Sequence, residues 1–317
     1  MNQNQAASHT LLNWVHTTLL LAGILLILAL LGWFLAGATG IIWAVVLGAF
    51  SLLFGQQLSP QLVLRMYRAR PLAPQEAPGL YQIVHELARR AGLAAAPTLY
   101  YVPSRLLNAF AVGTRRNAAI GVTDGMLRTL TERELTGVLA HEMSHIRNND
   151  MRVMGIADVA SRITGLFSTF GKLLLFLNLP LILMGETPIS WWAILLLIFA
   201  PLISGLLQLA LSRTREFDAD LGAVQLTGDP LGLASALNKL EYYSVNIWQQ
   251  ILFPGYRVPD PSLLRTHPHT KDRIARLRQL APTAQQTPHP AETPLALPGY
   301  YTPVTRRPGW SILGFWS

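Results

Sequence analysis

Thr131-Glu132-Arg133-Glu134-Leu135-Thr136-Gly137-Val138-Leu139-Ala140-His141-Glu142-Met143-Ser144-His145 is the stretch around which the rest of the chain can be organised. It starts with a T-x-x-E capping box, in which the Thr131 hydroxyl and the Glu134 carboxylate can each accept a backbone N–H at a helix start. A helix opened there should run well past His145. The stretch ends in an H-E-x-x-H sequence. Residues four apart lie on one helical face, so both imidazoles can bind one metal from the same side. Glu142 follows the first histidine directly and can reach a metal-activated water rather than the metal. Taken alone, the pentapeptide also fits a helix with two exposed histidines.

Two histidines do not complete a catalytic metal site; a third ligand and an open position are needed. A third histidine in the metzincin spacing would require Gly at position 148 and His at 151, which hold Asn148 and Met151. Carboxylates are better supplied. In Ser212-Arg213-Thr214-Arg215-Glu216-Phe217-Asp218-Ala219-Asp220, Glu216 and Asp220 again share one helical face. Glu216 can complete a two-His, one-Glu set while Asp220 accepts a hydrogen bond from a ligand imidazole. The same acids would equally suit a solvated juxtamembrane surface.

Composition says where this chemistry sits. The 317 residues are 51% hydrophobic, with net charge +8 and only 13% charged residues, and mean hydropathy is +0.32. Soluble domains carry roughly a quarter charged residues. No Asp, Glu, Lys or Arg occurs before Arg65. Disorder over most of the chain is therefore excluded, and the composition argues against a purely soluble protein. Basic and acidic groups are mixed along 65–155 and 212–280, so the positive balance is not a nucleic-acid signal. The absence of cysteine rules out a disulfide framework, a cysteine zinc finger and a thiol nucleophile.

Four apolar runs predict membrane helices in two hairpins: Leu19 to Ala36, Ile41 to Phe54, Ile163 to Met184 and Ile189 to Leu211. Lys172 interrupts the third and can snorkel to an interface. No basic segment precedes the first run, which therefore does not read as a cleaved leader. Arg65, Arg68 and Arg70 follow the first pair, and Arg213 and Arg215 follow the second. The connectors 37–40 and 186–190 carry no positive charge, so both polar portions are expected in the cytoplasm. This divides the chain into a membrane hairpin (1–64), a polar portion (65–155), a second hairpin (156–211), a second polar portion (212–280) and a tail (281–317). The first polar portion predicts a helix through Leu80, Ile83, Val84 and Leu87 ending near Gly92. Strands follow at Thr98–Val102, Phe110–Val112 and Ala118–Val122. Beyond Leu211, helix is predicted to Leu240 with a break at Gly228–Pro230, then again from Thr270 to Leu280. Prolines preclude regular helix in the tail, whose Trp310, Phe315 and Trp316 suit a membrane interface.

Taken together these motifs resemble the HtpX family, membrane-embedded zinc endopeptidases related to the CAAX prenyl proteases. His141-Glu142-x-x-His145 is followed, after two apolar segments, by S-R-x-R-E-F-x-A-D over Ser212–Asp220. Asn108-Ala109-Phe110-Ala111 resembles that family's N-A-F-A strand beside the cleft. Thr266-His267-Pro268 with Arg273-Ile274 resembles its T-H-P-x-x-x-x-R-I motif, although His269 stands where a second proline is usual. The likeness covers about residues 11–280. It implies an α+β, mainly helical, zincin-like metallopeptidase domain with one Zn2+ per chain, held by His141, His145 and Glu216. It implies Glu142 as catalytic base, His267 as a second electrophile, Arg273 holding that histidine or the substrate, and the Asn108–Ala111 strand binding an extended chain. Partners would be polypeptides, above all membrane proteins, and the lipid bilayer. The implied role is removal of damaged or misassembled proteins at the cytoplasmic face of a bacterial inner membrane. Two other functions fit the same motifs: a specific processing protease of CAAX type, and a non-catalytic zinc-stabilised scaffold or chaperone. Intact Glu142 argues against the scaffold, since a structural site needs no base there.

Overall fold

The computed structural model describes residues 3–55, 60–185, 191–251 and 270–281. The elements begin with α1 (Gln3–Gly55), α2 (Pro60–Met66), β1 (Arg70–Pro71), α3 (Pro78–Arg90), β2 (Thr98–Val102), β3 (Ala109–Thr114) and β4 (Asn117–Thr123). They continue with α4 (Asp124–Thr129), α5 (Glu132–Asn148), α6 (Asp150–Leu177), α7 (Leu179–Leu183), α8 (Trp191–Thr227), α9 (Pro230–Ile251) and α10 (Thr270–Leu280). The chain divides into two compact units: Asn2–Gln57 with Arg152–Arg215, and Leu58–Met151 with Glu216–Ser317.

The described part of the first unit is helical. α1 takes in both N-terminal apolar runs, but Ala36 and Gly37 leave helical geometry, Gly37 at φ 58°. A residue without Cβ tolerates that left-handed value. Gly40 lies so close to Gly32 that a Cβ on it would stand 1.9 Å from the Gly32 carbonyl oxygen. Eight residues along a straight helix are about 12 Å apart, so the chain reverses at 36–37 and its two arms meet through glycine. Ile24, Leu28 and Ala44 share a buried cluster with Ala157, Ala160, Ile163 and Leu211. Among the described residues, three helices are long and apolar enough to cross a membrane: Val15–Phe50, Asp150–Leu177 and Trp192–Thr227.

Two expectations shift in this unit. The third apolar run does not continue as one helix to Met184. α6 stops at Leu177, because Pro180 lacks an N–H for the helical ladder and its ring crowds the preceding turn. Asn178 closes the end, donating its side-chain amide to Leu174 O at 2.8 Å. Arg215, expected as a flanking surface charge, is instead 2% exposed and donates to the Thr17 hydroxyl on α1. Arg213 is the exposed basic residue after the last apolar run.

In the second unit a four-stranded sheet has the order β1-β2-β4-β3, with β2 parallel to β4 and the other pairs antiparallel. Its core joins Leu99, Ile120 and Val122 of the sheet to α3, α5, α9 and α10 through Val84, Leu139, Leu233 and Leu277. α3 starts with Pro78 in its first turn and ends before Gly92, at φ 65°. The capping box of α5 is formed: Glu134 N–H donates to Thr131 Oγ1 at 3.2 Å, and Thr131 N–H to Glu134 Oε2 at 2.9 Å. Glu134 also accepts from Ser235 Oγ and Lys239 Nζ of α9, each at 2.6 Å. The residue that starts the histidine helix thereby also ties α9 to it. That helix is shorter than expected, ending at Asn148; Asn149 adopts the left-handed conformation at φ 55° and Asp150 opens α6.

Asp229 couples α5 to the start of α9. Its Oδ1 accepts from Arg133 Nη2 at 2.7 Å and from Gly232 N–H at 3.1 Å. Burial raises the Asp229 pKa, but the Arg133 hydrogen bond outweighs this and holds the carboxyl below its usual value. A carboxyl depressed by folding contributes stability above its unfolded value, about 3.9, and loses it as pH falls through the folded value. Asp229→Asn keeps a helix cap but loses the ion pair. It should lower stability by about 1 kcal/mol at neutral pH. Thermal unfolding followed by circular dichroism should show the gap to the parent closing as the pH falls below the ordinary Asp value of about 3.9 and on through the lowered folded value.

Candidate metal centre

His141 and His145 leave the same face of α5 with their Nε2 atoms 3.1 Å apart. The opposite ring nitrogens are each held by a carboxylate. His141 Nδ1 lies 3.0 Å from Asp220 Oδ1, and His145 Nδ1 lies 2.8 Å from Asp150 Oδ2. A carboxylate accepts the Nδ1 proton and leaves Nε2 as the lone-pair atom. Two lone pairs converging this closely repel unless a cation stands before them. Glu216 of α8 adds oxygens 3.4 Å from His141 Nε2 and 3.7 Å from His145 Nε2. Donors about 2.1 Å from one shared tetrahedral ion stand about 3.4 Å apart. The three separations bracket that value, and the ligand atoms all lie within 4.8 Å of one another. The residues fit a metal.

The electrostatics agree. Burial opposes a charge on His141, yet hydrogen bonds to Asp220 and Glu216 outweigh it and push its pKa up to about 10. The pocket favours a positive charge at this ring. Arg273 of α10, 4% exposed, donates to Asp220 through Nε at 2.8 Å and Nη2 at 2.6 Å. Its Nη1 lies 3.0 Å from Glu216 Oε2. Its guanidinium thus grips both acids, Asp220 in a bidentate pair. One turn further along, Arg276 lies over the Phe217 ring at 3.9 Å. His267 lies outside the described residues.

Glu142 is next to His141 in sequence and stands apart from the ligand set. Its Oε2 accepts from the Ala111 backbone N–H at 3.0 Å. β3 is the last strand of the sheet and pairs with β4 in the register Ala111 opposite Ile120. The Ala111 N–H therefore points off the sheet edge towards α5. Asn108, just before β3, is pinned by Thr123: its N–H donates to Thr123 Oγ1 at 3.0 Å and its carbonyl accepts from Thr123 N–H at 3.1 Å. Ala109 and Phe110 are buried. The tip of the Phe110 ring lies over Gly121, where a Cβ would stand 2.7 Å from Cζ, and the ring packs against Tyr67 at 4.9 Å between centroids. It anchors the strand, and the Ala111 main chain is what meets Glu142.

The sequence model of peptidase family M48 matches residues 74–281, a stretch holding the histidines, the two acids of α8 and Arg273. The chain belongs to peptidase family M48. Similar relatives carry the name Protease HtpX homolog. That of Paraburkholderia phytofirmans is 36% identical over 287 residues, covering 86% of this chain and 99% of the relative. Those of Burkholderia ambifaria and Ralstonia pickettii are 35% identical over 293 residues, covering 86% of this chain and 99% and 98% of theirs. Among solved structures, S. mikatae Ste24p is similar with a TM-score of 0.46 and 20% identity, over 86% of this chain and 67% of that one. This M48 chain is thus an HtpX-like membrane metalloprotease whose substrates are polypeptides.

In this M48 peptidase the approach of α5 to α8 sets the ligand spacing, and a glycine permits it. A Cβ on Gly222 would stand 2.0 Å from Ser144 Oγ and 2.9 Å from Ser144 Cβ. Ser144 is fully buried between the two histidines. Gly222→Ala must push the helices apart, at a cost of about 1–3 kcal/mol. It should weaken metal retention by roughly tenfold or more, because donor positions matter to tenths of an ångström. Metal content after dialysis against a weak chelator would show this. Adding Ser144→Ala should recover part of the loss, since it removes the nearer of the two clashing atoms.

Asp150 was missed by reading the sequence. On a continuous helix, residues five apart point in different directions. Only the left-handed Asn149 turns the chain so that Asp150 reaches back to His145. The signal was an Asn-Asp pair just past the second histidine, legible once the helix is known to stop there.

Proposed function

We propose that this M48 peptidase is a zinc-dependent endopeptidase that cleaves misfolded or damaged membrane proteins at the cytoplasmic face of a bacterial inner membrane. The observation that carries this reading is the meeting, at Glu142, of the histidine helix with β3, the last strand of the sheet. His141, His145 and Glu216 would hold one zinc ion, a donor set that suits it and leaves an open position. Bound there, the metal supplies Lewis acidity to a substrate carbonyl and makes a water acidic near neutral pH. Glu142 Oε2 takes the proton of the attacking water and returns it to the leaving amine. Asp220 and Asp150 keep the imidazoles in the form that offers Nε2. Arg273 holds Glu216 and Asp220 in place. His267 is assigned the stabilisation of the developing oxyanion. The outer edge of β3, apart from the Ala111 N–H that Glu142 holds, receives an extended chain main chain to main chain. Such contacts discriminate little between side chains, which suits a disposal enzyme.

In the same reading the chain crosses the membrane four times: the two arms of α1, then α6 and α8. Segments 1–64 and 156–211 form the membrane part, 65–155 and 212–280 the catalytic part, and 281–317 a tail. Arg65, Arg68, Arg70 and Arg213 would face the cytoplasm. Co-reconstitution with a destabilised membrane protein and its stable parent tests this function. Internal fragments should arise from the destabilised form, disappear on chelation and return with zinc. Equal cleavage of both forms, or trimming from the ends only, would overturn it. The chain lacks cysteine, so Arg116→Cys gives a unique label at the β3–β4 turn. An impermeant maleimide should reach it only after the inner membrane is permeabilised; labelling in intact spheroplasts would reverse the orientation.

A further inference from the structure

Exposed large apolar side chains among the described residues fall almost wholly in the unit of Asn2–Gln57 with Arg152–Arg215. The metal-bearing unit has two exceptions, adjacent on α9: Tyr242 at 68% exposure and Tyr243 at 40%. Their rings meet edge to face with centroids 6.0 Å apart. The first half of α9 is ordinary core, with Leu233 and Leu237 buried and Leu240 packed against the same cluster. In sequence that stripe does not stop where the core stops. It continues at helical spacing through Tyr243, Ile247 and Ile251.

Composition changes at the same point. From Tyr242 to Tyr256 no Asp, Glu, Lys or Arg occurs, while Tyr242, Tyr243, Trp248, Phe253 and Tyr256 do. A water-facing helix end normally carries lysine and glutamate. Tyrosine and tryptophan instead favour the level of lipid headgroups, where the ring body is apolar and its polar tip stays wet. Ser244, Asn246, Gln249 and Gln250 supply the rest of the segment with groups that hydrogen-bond headgroups without an ion to desolvate.

We propose that the C-terminal half of α9, from Tyr242 onward, seats in the lipid headgroup interface and gives the metal-bearing unit an attachment to the bilayer beyond its covalent membrane helices. The proposal rests on this being a membrane protein and not on its peptidase chemistry. Its test therefore reads membrane depth and requires no catalysis.

Nitroxide labels are placed at Tyr242→Cys, Tyr243→Cys and, as a water-facing control, Arg116→Cys, each in the full-length chain in phosphatidylethanolamine–phosphatidylglycerol nanodiscs. Metal content equal to the parent shows that each variant is folded. The ratio of collision with oxygen to collision with a water-soluble nickel chelate should be several-fold higher at 242 and 243 than at 116. Water-like ratios at both tyrosine positions would overturn the proposal. A ratio that rises only when an unfolded polypeptide is added would also overturn it and make the patch a polypeptide-binding surface.

Discussion

Glu142→Gln is expected to purify with its full complement of metal and to cleave unfolded casein roughly 10²–10⁴-fold more slowly than the parent. The two halves of this result have separate causes. Metal retention follows because the three converging donors come from His141, His145 and Glu216, with Glu142 outside that set. Loss of cleavage follows because an amide cannot take a proton from water near neutral pH. The substitution is also gentle on the structure. The amide oxygen it introduces can still accept the Ala111 N–H that Glu142 accepts at 3.0 Å, so β3 keeps its place and the loss belongs to the base. Cleavage by both proteins at one rate would sink the role given to Glu142. Joint loss of metal and cleavage would move Glu142 into the ligand set.

Glu216→Ala is expected to lose the metal, with affinity down by more than about 100-fold, the upper end for residues that merely support a ligand. It removes the carboxylate oxygens that approach the two Nε2 atoms to 3.4 and 3.7 Å. Cleavage should fall below detection although Glu142 is intact. The fold should survive: Arg273 keeps its two hydrogen bonds to Asp220, at 2.8 and 2.6 Å, so its buried charge retains a partner. Metal analysis by mass spectrometry after gel filtration, alongside circular dichroism, separates metal loss from unfolding. Parental occupancy in this variant would assign the third ligand to another carboxylate, with Asp220 the nearest.

How far each part could be read in advance follows from how local it is. The capping box of Thr131 and Glu134, the strands at 98–102 and around 110 and 120, and the helix broken at Gly228–Pro230 are all decided within a few residues, and each formed close to its predicted place. Helical spacing within one motif made it legible that Asp220 could hold a ligand imidazole, but not that this imidazole is His141. Three contacts were not legible. Asp150 reaches His145 only because α5 stops at Asn148. Ala111 meets Glu142 only because β3 ends the sheet beside α5. Arg273 turned out to hold the two acids because α10 packs on the core through Ile274 and Leu277.

By itself the sequence determined that the chain is built for a membrane, that one helix carries two histidines and a glutamate on fixed faces, and that acids follow at a matching spacing. Periodicity and composition are properties of single segments, so no partner is needed to read them. Tertiary structure decided which acid faces which histidine, and at what distance. Glu216 lies 71 positions beyond His145, and its approach is set by the bare backbone of Gly222 against Ser144. That separation arises from packing between elements, which no pattern along one of them can encode.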